Sequence, residues 1–205
     1  GDPFHRCTHT ALSPDGDIYV SDGYGNARVH KYSPDGKLLT SWGAPGTDEG
    51  EFNIVHNIAT DEEGWVYVAD RENHRIQVFD RNGRYETQWK NLHRPCALCS
   101  CCAGRLGRTG RHGFVVGELG PFMSVNIRHP NIGPRLSILD QKGSVVARLG
   151  IETGAGLTPG TFIAPHGVAV DSRGDIYVGE VSVSAWPQVF PDEKRPTPVR
   201  SLQKL

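Results

Sequence analysis

No run of about 18 apolar residues occurs in this 205-residue chain, which excludes a membrane-spanning helix. An excess of one charge is missing too. There are 22 Lys and Arg against 23 Asp and Glu, for a formal net charge of −1. A chain so balanced lacks the clustered basic surface that nucleic-acid binding requires. The first residues show no signal-peptide pattern, and this leaves the compartment open. The cysteines do not come in an even number: there are five, and four crowd together as Cys96, Cys99, Cys101 and Cys102. Tight Cys clusters bind zinc or exchange disulfides. Here a second pair of Cys or His at the usual spacing is lacking, apart from His112. Gly (25) and Pro (14), in contrast, are plentiful, which suits many short strands and turns.

What is present is a repeat. "DIYVSDG" (Asp17–Gly23), "WVYVADR" (Trp65–Arg71), "GFVVGEL" (Gly113–Leu119) and "DIYVGEV" (Asp175–Val181) are each a β-type run ending in an acid. The acids are Asp22, Asp70, Glu118 and Glu180, spaced by 48, 48 and 62 residues. Ahead of the anchor comes "THTALSPDG", "VHNIATDEEG" or "PHGVAVDSRG"; behind it comes a strand opened by Arg28, Arg75 or Arg135, then "KLLTSWG", "RYETQWK" or "SVVARLG". Asp-Gly, Asn-Gly and Lys-Gly pairs join these runs, and Gly and Asn accept the positive φ of hairpin turns. Four antiparallel strands at a period of about 40–50 residues describe a β-propeller blade. The fold class is therefore an all-β propeller, one domain over 1–205 with repeats at roughly 5–50, 51–92, 93–150 and 160–205, the last incomplete. The first strand of the third repeat falls on "CALCSCCAGRLGRTGRHG", whose Gly/Arg-rich composition predicts a loop or local disorder. The recurring acid with its nearby Arg reads as architecture: a loop cap, or an ion pair.

Blade geometry then locates candidate functional residues. The first strand starts at one end of a blade and the second, antiparallel to it, finishes at that end. Residues before strand one and after strand two thus share a face, and such loops carry function. Before strand one stand Thr8, His56, Cys96 and His166; after strand two stand "DGYGN", "DREN", "ELGPFM" and "EVSVSAW". This groups His56 and His166 with Tyr24 and Arg71. Two imidazoles are zinc ligands, a Tyr can serve as base and an Arg can clamp a carboxylate. The spacing equally allows hydrogen-bonded surface histidines and a packing tyrosine. Two inserts, Glu118–Arg135 and Glu180–Pro196, extend the same-face loops and carry the apolar residues Phe122, Met123, Trp186 and Phe190. They either cover a substrate pocket as a lid or plug the channel.

The stretches "VSDGYGNARVHKYSPDGKLLTSWG", "VHNIATDEEGWVYVADRENHRIQVF" and "APHGVAVDSRGDIYVGE" resemble NHL-repeat propellers. More narrowly, they resemble peptidyl-α-hydroxyglycine α-amidating lyase, over roughly Phe4 to Glu180. The pair "SDGY-x-N-x-R" and "ADREN-x-RIQ" is specific, because generic NHL repeats share the second part without the Tyr. The resemblance implies a six-bladed zinc lyase that splits a hydroxyglycine-extended peptide into a peptide amide and glyoxylate. Its zinc sits on three His from alternate blades. His56 and His166 match two of these, 110 residues apart with the Cys96 repeat between them. Tyr24 matches the catalytic Tyr and Arg71 an active-site Arg. In the implied reaction zinc polarises the α-hydroxyl, Tyr24 helps remove its proton, and Arg71 orients or neutralises the carboxylate or carbonyl end. The family's calcium-binding Asp follows its third zinc His, where this chain has Gly167. The family's first His, another Arg and a whole blade lie upstream of Gly1, so the resemblance implies about four and a half blades of six. Such an open ring invites homo-oligomerisation through its unpaired edges. It also leaves His9, Cys96, water or a second chain to complete the zinc shell. By resemblance the setting is secreted or periplasmic and the partner a small-molecule or peptide substrate. Two other functions compete: a non-catalytic NHL binding platform, and a lactonase-like hydrolase using calcium.

Overall fold

The computed structural model of the chain describes residues 3–101, 113–121, 126, 128, 132–150 and 154–205. It consists almost wholly of short antiparallel strands, as the repeat requires. The residues fall into two compact units, Gly1–Lys90 and Asn91–Leu205.

The first unit holds two four-stranded blades. β1 (His9–Leu12), β2 (Ile18–Asp22), β3 (Arg28–Tyr32) and β4 (Leu38–Trp42) pair in sequence order, and β5 (Val55–Thr60), β6 (Val66–Asp70), β7 (Arg75–Phe79) and β8 (Tyr85–Trp89) do the same. Burial is greatest in the middle strands of these blades and lower in β1 and in the outer strands β4 and β8. Every residue of β6 and β7 is buried, whereas β4 begins on the exposed Leu38 and Leu39. A strand covered on both faces reads as a continuous apolar run and loses the period-2 alternation, which is why "VYVA" looks as it does. The core between the blades is built on Tyr19, Val29, Phe52, Val55, Ile58, Val68 and Phe79. The turn chemistry is local. In "SPDG" the Ser33 hydroxyl accepts the Lys37 N–H at 3.1 Å and Gly36 takes φ 85°, a region that favours glycine. In "DRNG" the Asp80 carboxylate accepts the N–H groups of Asn82 and Arg84 at 2.8 and 2.9 Å.

The second unit repeats the pattern. β9 (Pro95–Cys101), β10 (Gly113–Glu118), β11 (Arg135–Asp140) and β12 (Val145–Leu149) form one sheet; β13 (Pro165–Val170), β14 (Ile176–Glu180) and β15 (Leu202–Lys204) form another. A helix, α1 (Ser182–Val189), follows β14. The expected loop over the cysteine-rich stretch is corrected: Pro95–Cys101 is a seven-residue strand paired with β10. Cys96, Ala97 and Leu98 are buried there, since a small thiol packs as a hydrophobe. The rest of that stretch, 102–112, lies outside the described residues.

The recurring acid is buried in every blade, and its partners recur as well. Asp70 accepts from the backbone N–H of Asn53 (2.7 Å), Asn73 Nδ2 (2.8 Å), Arg75 Nε (2.8 Å) and Gln77 Nε2 (3.2 Å). Glu118 accepts from the His93 N–H (2.7 Å), two guanidinium nitrogens of Arg135 (3.0 and 2.9 Å) and the Ser137 hydroxyl. Glu180 accepts from the N–H groups of Ile163 (2.6 Å) and Ala164 (3.1 Å) and from Gln203 Nε2 (3.1 Å). Asp22 accepts from the His5 N–H and from Asn26 Nδ2. Burial pushes the Asp70 carboxyl up, and the donors from Asn53, Asn73 and Arg75 oppose that rise. The expected pairing with Arg thus holds for Arg75 and Arg135. Arg28 instead is exposed at the start of β3, and His30 Nε2 comes within 3.4 Å of Asp22 in its place.

A buried carboxylate that satisfies four donors leaves them all stranded when removed. Asp70→Ala is expected to cost about 3–5 kcal/mol, whereas Arg28→Ala, at an exposed side chain, is expected to stay within about 0.5 kcal/mol. Urea unfolding of the two variants against wild type checks the contrast, and equal midpoints would refute it.

Candidate functional site

In three of the blades the first strand carries a register slip at the same place. Val55 faces Asp70 and Asn57 faces Ala69, so His56 has no residue opposite it. Cys96 is left over in the same way between the Pro95–Glu118 and Ala97–Gly117 pairs, and His166 between Pro165–Glu180 and Gly167–Gly179. Such a bulge re-aims the extra side chain out of the sheet's alternation. Asp22, Asp70, Glu118 and Glu180 bind the N–H of His5, Asn53, His93 and Ile163. These stand three residues before Thr8, His56, Cys96 and His166 respectively.

Within the first unit, Tyr24, Arg71 and His56 meet. Tyr24 sits in the β2–β3 connection and is 48% exposed. Its ring packs edge-on against the buried His56 imidazole, with centroids 6.0 Å apart and planes at 78°. Arg71 Nη1 donates to the phenol oxygen at 3.1 Å, and its guanidinium carbon lies 5.4 Å from the centre of the Tyr24 ring. The Arg71 Nε is held by Glu72 Oε1 at 2.8 Å. Arg71 opens a 3₁₀ turn, Arg71–Asn73, that leaves β6 directly after Asp70. That turn is anchored by Arg71 N–H to the Ile54 carbonyl (3.1 Å) and Glu72 N–H to the Asn53 carbonyl (3.0 Å). The connection bearing Tyr24 is pressed against the next blade. A Cβ on Gly23 would collide with the Val55 carbonyl oxygen, which is backbone and cannot move aside. His9 is one step off the slot: its Nδ1 lies 3.2 Å from the Ile58 carbonyl.

Within the second unit, Cys96 Sγ and a ring nitrogen of His166 lie within 4.8 Å of each other. Cys96 is fully buried and His166 is half-buried. Cys96 also joins an apolar cluster with Leu119, Ile163, Ala164, Ala185 and Trp186. Trp186, on the insert expected either to cover a substrate pocket or to plug the channel, lies on α1 and packs into this cluster. It is 4% exposed, stacks on Phe190 at 4.5 Å and donates its indole N–H to the Glu193 carbonyl at 2.9 Å. Phe122 and Met123 lie outside the described residues. The C-terminal end of α1, through Gln188, Val189 and the following Phe190, lines a cavity of about 210 Å³ with Pro121, Pro134 and Ile163. Gly167 offers no carboxylate at the position where the resemblance implies a calcium-binding Asp, and a Cβ there would meet nothing within 4 Å. Sequence reasoning missed the bulge itself, the donors Asn73 and Gln77, and the close approach at Gly23. Each depends on a neighbouring strand and leaves no mark in one repeat alone.

The NHL repeat family matches residues 4–32 and 52–79. Human NHL repeat-containing protein 3 is 47% identical over 79 residues, covering 37% of this chain and 23% of that protein. The mouse peptidyl-glycine alpha-amidating monooxygenase is 28% identical over 99% of this chain and 20% of its own length. The Drosophila melanogaster peptidyl-alpha-hydroxyglycine alpha-amidating lyase 1 is 36% identical over 44% of this chain and 19% of its own. The chain thus spans about a fifth of the length of these relatives. Among solved structures, virginiamycin B lyase from Staphylococcus aureus superposes with a TM-score of 0.57 at 14% identity, over 85% of this chain and 48% of that one. At that identity the likeness concerns the fold alone. The chain is an all-β propeller that carries NHL repeats at residues 4–32 and 52–79 and resembles the amidating lyase.

Two substitutions separate packing from chemistry at Tyr24. Tyr24→Phe, at a half-exposed ring, is expected to change stability by no more than about 0.5 kcal/mol. Gly23→Ala is expected to cost about 1–3 kcal/mol, because the added methyl forces the connection away from Val55. Chemical unfolding reads both; a fully stable Gly23→Ala protein would mean that the close approach is not a constraint.

Proposed function

We propose that this chain is a zinc-dependent lyase acting on peptidyl-α-hydroxyglycine or a similar N-substituted α-hydroxy acid. The observation that carries the reading is the Tyr24–Arg71–His56 constellation, in which Arg71 donates to the Tyr24 oxygen and the Tyr24 ring meets His56, in a chain similar to amidating lyases. His56 and His166 would hold the metal, since each is the bulged residue of its blade's first strand and imidazole nitrogen is an apt zinc donor. The residues fit that ion. When bound, zinc would supply Lewis acidity toward the substrate's hydroxyl oxygen.

The residues of the chain account for the rest. In the reaction the α-hydroxyl loses its proton and its oxygen–carbon bond becomes the aldehyde of glyoxylate. The electron pair of the breaking C–N bond leaves with the amide nitrogen, which takes up a proton. Tyr24 is the group to move that proton. Its phenol is half-exposed, edge-on to His56 and held in direction by Arg71. Proton transfer by a positioned side chain contributes typically about 10²–10⁴-fold. The Arg71 guanidinium, fixed by Glu72, offsets negative charge that develops at the phenol oxygen or on the substrate carboxylate beside it. Buried at 7% exposure, it holds its place without solvent screening.

The test is glyoxylate release from α-hydroxyhippurate by the zinc-loaded protein. Tyr24→Phe is expected to lower kcat by at least ~10²-fold with its zinc content intact. His56→Ala and His166→Ala are expected to lose both zinc and turnover. A zinc-loaded protein without turnover would leave the binding-platform reading standing instead. Full activity in Tyr24→Phe would remove the tyrosine from the mechanism.

A further inference from the structure

We infer that Cys96 is a thiolate ligand of the proposed metal, paired with His166, so that the ion is held by a mixed sulfur and nitrogen donor set. This rests on the zinc reading above and adds a donor that an all-imidazole site does not contain. Three observations support it. First, Cys96 occupies the same bulged slot of β9 that His56 occupies in β5 and His166 in β13, so the fold re-aims all three side chains alike. Second, its Sγ lies within 4.8 Å of a ring nitrogen of His166. A tetrahedral zinc with a bond of about 2.3 Å to sulfur and about 2.0–2.1 Å to nitrogen holds such a pair roughly 3.6 Å apart, within reach of a rotamer adjustment. Third, the corresponding residue of the first blade is Thr8, whose hydroxyl is engaged by the backbone, donating to the Val55 carbonyl at 2.9 Å. That slot thus offers hydroxyl in one blade and soft or borderline metal donors in the other three.

Packing gives a competing account, since Cys96 also lies in the apolar cluster around Ile163 and Trp186. The two accounts part at the thiolate. A packing cysteine stays protonated and is replaceable by Val or Ala; a ligand must lose its proton and bond through sulfur. The surrounding apolar wall is compatible with binding, because a dry shell strengthens a charged donor–metal interaction.

The experiment uses the full chain with cobalt(II) in place of zinc and reads its absorption. Wild type is expected to take up one cobalt per chain and to show an intense near-ultraviolet thiolate-to-cobalt charge-transfer band. Cys96→Ser and Cys96→Val are expected to lose the band and to bind zinc at least ~10-fold more weakly, since even the loss of an outer partner costs that much. A protein in which the other four cysteines are Ser is expected to keep the band. Thermal unfolding of Cys96→Val identifies any variant that loses metal only because it fails to fold. Cobalt bound without the band, or a band that survives Cys96→Ser, overturns the assignment of Cys96 while leaving a metal site in place. If wild type binds no cobalt or zinc, the zinc reading fails and this inference fails with it.

Discussion

A buried carboxylate in each blade, tied to the backbone N–H of the segment that leads into the blade's first strand, is the constraint on which the remaining structure depends. It occurs as Asp22 with His5, Asp70 with Asn53, Glu118 with His93 and Glu180 with Ile163. An ionised carboxylate without donors is intolerable in such surroundings, so each must collect partners. The partners it collects are the groups that set the blade's geometry. One is the backbone three residues before the bulge. In two blades another is the Arg across the second hairpin. The network is structural, and its consequence is functional. In three blades the contact lies three residues before the point at which the first strand slips register, at His56, Cys96 and His166, and in the first blade it lies three residues before Thr8, where the strand pairs without a slip.

From that point the candidate chemistry follows with little freedom. Asp70 ends β6 directly before the turn that begins with Arg71, and its carboxylate accepts from Asn73 Nδ2 at the end of that turn; the same carboxylate holds the N–H of Asn53, whose carbonyl accepts from Glu72. Arg71 and His56 are therefore set by one buried group, and Tyr24 is brought to both because Gly23 lets its connection lie against Val55. Sites held on rigid elements keep their geometry better than sites on free loops. Here a tyrosine on a turn is held against a guanidinium and an imidazole that are themselves buried.

Much of this was legible in the residues. The period of the acids, the Asp-Gly turns and the Arg that opens each third strand describe a blade before any coordinates are known. The equivalence of Thr8, His56, Cys96 and His166 follows from aligning the repeats. Three features were not legible. Pro95–Cys101 reads as a loop because it opens a Gly/Arg-rich stretch poor in β-formers, and the pairing with β10 shows it to be a strand. Arg28 reads as an ion-pair partner because it shares its position with Arg75 and Arg135, yet His30 and Asn26 serve Asp22. Trp186 reads as part of a lid or a plug because it follows the same-face end of β14, and only the tertiary contacts show that a two-turn helix packs it with Ile163 and Cys96.

The sequence by itself determined the class of fold, the number of recognisable repeats and the residue types that meet at one end of each blade, because all three are consequences of local periodicity and turn chemistry. The tertiary structure alone decided which donors each carboxylate takes, that the slot residues are bulged, that Arg71 reaches the Tyr24 oxygen and that Cys96 lies beside His166. These depend on contacts between strands far apart in the chain. Their distances are set by packing against neighbouring sheets, and no single repeat encodes its neighbour's surface.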